Sequence, residues 1–228
     1  QVERAFNTVY RAFSEPEKDF LKEKAWREME QVEPLMSNPE KLEVYYWKGK
    51  CAAVMFPDDQ QKAVDLFEQA IAFSPYNSKS DYLRYAIREV CAAKIDAEEK
   101  LRYTEMACRK MHGSLQNPKY DEYIDGLKRV CYNQALRKAK NQELHWYERE
   151  CGYMRALELL NEVKIPAAEK YQHRIRVYGA LYQLYQDNGE TKKAGQIHKN
   201  RQAAINAAAH EKKLRTGVRI DSSSHNYR

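Results

Sequence analysis

The chain has few residues that interrupt regular structure. Eight glycines and seven prolines stand among 228 residues, and they fall at intervals, so long unbroken elements are expected. Long apolar runs are lacking as well, and nothing approaches the ~20 consecutive apolar residues that cross a bilayer. The first residues, Gln1-Val2-Glu3-Arg4, have neither the basic stretch nor the apolar stretch of a secretory signal. A cytoplasmic setting is therefore expected. Because the chain does not begin with Met, an earlier-removed leader stays open. Cysteines number five (Cys51, Cys91, Cys108, Cys131 and Cys151), odd and widely spaced, which is unlike a disulfide framework. Buried thiols in a reducing compartment are expected instead.

Chemical spacings are equally sparse. The six histidines (His112, His145, His173, His198, His210 and His225) form no His-Glu-x-x-His and pair with no Cys-x-x-Cys, so no metal and no cofactor are expected. Gly-x-Ser-x-Gly is absent, and Gly49, Gly113, Gly126, Gly152 and Gly179 stand singly rather than in a phosphate-cradling loop. The paired carboxylates Asp58-Asp59 and Glu98-Glu99 sit at helix starts, where the helix dipole accounts for them. The chain is expected not to be an enzyme.

What is present is helical. Hydrophobic residues make up 43% and charged residues 32%, too apolar for a disordered chain. Seventeen Tyr against six Phe implies many rings whose hydroxyl must reach water or a partner, which suits helices buried on one side only. Ser14-Glu15-Pro16-Glu17 reads as a helix start, and Phe20, Leu21, Trp26, Met29 and Val32 follow at helical spacing. Boundaries then recur at Pro34, Asn38-Pro39, Phe56–Asp59, Ser74–Asn77, Ile95-Asp96, His112–Pro118, Asn141, Ile165-Pro166 and Asp187–Gly189. About nine or ten helices joined by short turns follow from these intervals. Period-two alternation is absent, so no sheet is expected. The fold class expected is all-α, with antiparallel helical hairpins.

Two segments repeat a recognisable pattern. Ala63-x3-Phe67-x2-Ala70-x4-Pro75 places small residues where a second helix approaches a first, an aromatic ring between them, and proline at the end. Upstream stand Tyr45, Tyr46, Trp47 and Gly49. Near the C-terminus, Tyr178-x2-Leu181-x3-Tyr185-x3-Gly189-x4-Ala194 gives most of a first helix, its turn glycine and the next small residue. These stretches resemble the tetratricopeptide repeat family. The resemblance covers about two hairpins; Ala156-x3-Leu160 is only a fragment of it, and His198 and Arg201 depart from it. It implies an α-solenoid over residues 1–214, followed by a polar, basic tail over 215–228.

The resemblance also implies a function: a protein-interaction scaffold or adaptor that holds a partner peptide or helix in its concave groove. Tyr46, Lys50, Arg84, Arg88, Arg176 and Gln183 are the groove residues it points to. The cations among them favour a partner with acidic segments. The Lys/Asn clamp of chaperone-binding members is not reproduced, since Gly179 and Gln183 stand at two of its positions. A peptide- or ligand-sensing regulator is the alternative. A nucleic-acid-associated protein is a second one, because residues 137–228 hold 18 Lys/Arg against 10 Asp/Glu, and Lys212, Lys213, Arg215 and Arg219 run along its end.

Overall fold

A computed structural model describes residues 1–15, 18–113 and 115–223, and the side chains of all these except residues 19 and 215–223. Ten α-helices occupy the described residues. The only extended pairing among them is an isolated parallel bridge between Ser78 and Met111. The chain divides into two compact units, Gln1–Leu127 and Lys128–Arg228.

The first unit begins with α1 (Val2–Ser14) and α2 (Asp19–Val32). The expected helix start at Ser14 is corrected here. Ser14 closes α1, α2 begins at Asp19, and Pro16 and Glu17 lie outside the described residues. Helix α1 buries Ala5, Thr8, Val9 and Ala12, a helical stripe of mostly small side chains. A short 3-10 turn, Glu33–Leu35, leads to α3 (Asn38–Met55). Ser37 caps α3 in a reciprocal box with Glu40, whose Oε2 accepts from the Ser37 amide at 2.8 Å.

Helices α4 (Gln60–Phe73), α5 (Asp81–Ala92) and α6 (Ala97–Lys110) begin at Asp59, Ser80 and Asp96 respectively. Each of those side chains accepts a first-turn amide. The core of the unit takes Leu42 from α3 and Phe67, Ile71, Leu83, Ile87 and Tyr103 from these three helices. A clasp ties α6 back to α4. Lys110 Nζ donates to the carbonyls of Ile71 and Ala72 at the end of α4, and the Ser78 and His112 backbones pair alongside. Four last-turn carbonyls of a helix have no internal partner, so a cation placed there is favoured.

A buried cation also holds α3 to the preceding turn. Lys48 pairs with Glu33 at 2.7 Å and lies over the rings of Trp26 and Tyr45. Burial alone would raise the Glu33 carboxyl, but hydrogen bonds from Lys48 and Tyr45 outweigh it and hold the pKa below the ordinary value.

Helix α7 (Pro118–Lys140) starts in the first unit and ends in the second. The second unit continues with α8 (Trp146–Glu162), α9 (Ala167–Asp187) and α10 (Thr191–Ser223). Gly152 on α8 meets the α7 backbone: a Cβ there would lie 2.9 Å from the Ala135 oxygen and from the Ala139 nitrogen. Gly189 turns the chain from α9 to α10 with φ of 73°, the left-handed conformation expected of it. Leu181, Leu184, Tyr185, Ala194 and Ile197 form the core between those two helices. Helix α10 continues past residue 214 to Ser223. No helix is long and apolar enough to cross a membrane among the described residues.

Candidate interaction surface

Three helices of the first unit bring aromatic rings to one place. Tyr10 and Phe13 come from α1, Tyr46 and Trp47 from α3, and Tyr82 and Tyr85 from α5. Trp47 is the hub on the α1 side, with ring centroids 5.6 Å from Tyr10 and 5.3 Å from Phe13. Tyr46 is the hub on the α5 side, 5.3 Å from Tyr82 and 6.0 Å from Tyr85. Edge-to-face and tilted arrangements of this kind place each ring's positive edge against a neighbour's negative face.

The hydroxyls are organised as well. Tyr10 donates to Glu43 at 2.9 Å and lies 3.2 Å from the Tyr82 hydroxyl, while Trp47 Nε1 donates to the same Glu43 oxygen at 3.4 Å. Burial raises the Tyr82 pKa, and its hydrogen bonds to Glu43 and Tyr10 raise it further. Tyr46 is pushed up to about 12, first by burial and then by the Glu89 carboxylate. These phenols stay neutral at physiological pH. The belt is a hydrogen-bonding and ring-stacking surface and carries no nucleophile of its own.

The residues expected to line a groove fall in both units. Tyr46 is only 7% exposed and supports the belt from beneath. Tyr10, at 45% exposure, is its open edge. Lys50 is paired with Glu89 across α3 and α5 at 2.9 Å. Arg84 pairs with Asp81 at 2.6 Å and lies 5.8 Å over the Tyr85 ring. Arg88 is exposed and makes no hydrogen bond or ion pair with any described residue. The structure therefore gathers Tyr46, Lys50, Arg84 and Arg88 in one region of the first unit.

Arg176 and Gln183 belong to α9 in the second unit, and both are exposed. Gln183 donates to Asp187 at 2.7 Å. Arg176 acts on Tyr132, whose hydroxyl lies 2.7 Å from His173 Nδ1. Lys212 and Lys213 are exposed on α10, whereas the side chains of Arg215 and Arg219 lie outside the described residues.

Between the end of α6 and the start of α7, a cleft of about 360 Å³ opens among Cys108, Gln116, Asn117, Tyr120 and Asp121. Tyr120 forms part of its wall and packs on the core of the first unit. Among the described residues, no group of three His, Cys, Asp or Glu side chains is placed to hold a metal ion.

Tyr10, Phe13, Trp47, Tyr82 and Tyr85 were absent from the residues that sequence reasoning singled out for the groove. One signal for them exists: Tyr10, Tyr46 and Tyr82 stand 36 residues apart, near the length of one helical-hairpin repeat. A scan against known protein families, a search of curated proteins and a search of solved structures each return no match to this chain.

Proposed function

We propose that this chain is a tetratricopeptide-like adaptor that binds an extended or helical segment of another protein along the aromatic belt of α1, α3 and α5. The observation that carries the reading is the belt itself. Rings from the first helices of three successive hairpins touch one another and stay partly open to solvent. Aromatic residues give large contact area at low entropic cost, and their hydroxyls orient a bound backbone. The repeat assignment draws support from one internal contact. Phe67 fills the space left by Gly49 between α3 and α4, and Ala63 and Ala70 are buried beside it.

In this reading the hairpins stack as an α-solenoid and the chain works in the cytoplasm; its five cysteines are all free thiols. A solenoid predicts a solution radius of gyration clearly above the roughly 17 Å of a compact globule of this length. Binding is tested by affinity capture of partners with the wild-type chain and with a Tyr85→Ala/Arg88→Glu variant whose helicity matches it. The reading expects a defined set of partners lost from the variant. An unchanged set would remove the belt from consideration as the binding face.

A further inference from the structure

Of the three cations gathered at the belt, two are already satisfied. Lys50 holds Glu89 and Arg84 holds Asp81. Arg88, one helical turn beyond Arg84 on α5, has no acidic partner among the described residues and stands in solvent. A ring accompanies it: Tyr85, three residues earlier on the same helix, lies under Arg84.

We propose, on the basis of the belt reading above, that Arg88 receives a carboxylate from an acidic partner segment whose neighbouring apolar side chains lie on Tyr85 and Tyr82. The Tyr82 and Tyr85 ring centroids lie 6.0 Å apart and Arg88 follows Tyr85 by three residues on α5, so two rings and a cation follow one another along that helix.

Magnitudes decide what the segment must contain. An exposed ion pair changes an affinity by no more than about fivefold and is screened by salt. A carboxylate on Arg88 thus selects the partner without holding it, and the rings must supply the affinity. A purely acidic tract would bind weakly. A segment alternating acids with large apolar residues fits both requirements, because one side of it meets the rings while the acid reaches the guanidinium.

The test uses fluorescence anisotropy with a labelled synthetic peptide alternating aspartate and leucine, and a matched peptide alternating asparagine and leucine. Binding of the aspartate peptide is expected to be about two- to fivefold tighter, and that advantage is expected to vanish in Arg88→Gln and in high salt. Arg88 is exposed, so this variant keeps its fold, which circular dichroism checks. Equal binding of both peptides, unaffected by Arg88→Gln but lost in Tyr85→Ala, would overturn the acidic preference and leave the belt standing. Failure of both peptides to bind would overturn the two readings together.

Discussion

Gly49 and Phe67 occupy one space: a Cβ on Gly49 would lie 2.5 Å from Phe67 Cε1 and 2.7 Å from Cδ1. The Phe67 ring is almost wholly buried in the core of the first unit, so it has little room to swing. Gly49→Ala is expected to destabilise that unit by about 2–3 kcal/mol through overpacking, although alanine is the better helix former. Phe67→Leu in the same chain is expected to recover part of the loss. A double-mutant cycle in urea checks this, and strictly additive effects would show that the two positions are not in conflict.

The thiols should separate by depth. Burial pushes the Cys51 thiol up to about 12, and burial aided by Asp121 pushes Cys108 up to about 11, whereas Cys151 is exposed. Since thiolate is the reacting form, maleimide is expected to modify Cys151 first and Cys51 only in denaturant. Peptide mass spectrometry after brief labelling reads the order. Modification of Cys51 as fast as Cys151 would contradict the placement of α3 in the core.

Alkaline pH should weaken the first unit. A tyrosine in the unfolded chain loses its proton near pH 10, whereas Tyr46 in the folded chain holds it to about 12. The folded state therefore binds more protons in this window. The Tyr46 contribution is complete below about pH 10 and is lost as the pH rises towards about 12, a change of order 2 kcal/mol. Tyr46→Phe, with no proton to lose, is expected to flatten the fall in urea midpoint between about pH 9 and 11. An unchanged slope would place the Tyr46 ring in water.

Much of the helical order was legible in the residues themselves. The turn at Asp187-Asn188-Gly189 and the stretch Ala63–Pro75 announce their geometry through glycine, proline and alanine, whose conformational rules are local. Helix α1 carries Ala5, Phe6, Val9, Ala12 and Phe13 at helical spacing, a stripe plain enough to read, but no glycine or proline precedes it to mark a boundary. His145 did not read as a cap, yet its Nδ1 accepts the Tyr147 amide at the start of α8.

The interaction surface was harder to read, for a physical reason. Lys50 looks like a free groove cation in the sequence, and only the packing of α3 on α5 brings Glu89 to it, 39 residues away. The Tyr10 and Tyr82 hydroxyls meet across 72 residues. Contacts at that separation depend on how helices stack, which hydrophobic periodicity does not specify.

The clasp between α4 and α6 has a mechanical meaning. Lys110 grips the Ile71 and Ala72 carbonyls while the Ser78 amide donates to the Lys110 carbonyl and the His112 amide to the Ser78 carbonyl, so the intervening hairpin lies inside a closed loop. Tension applied to the two ends of the chain is carried across the loop's neck, and the helices α5 and α6 inside it are shielded until the neck parts. About 34 residues, or ~12 nm of contour at full extension, are then released in one step. The same neck prevents that hairpin from fraying on its own, which holds the Arg84–Arg88 side of the belt in place.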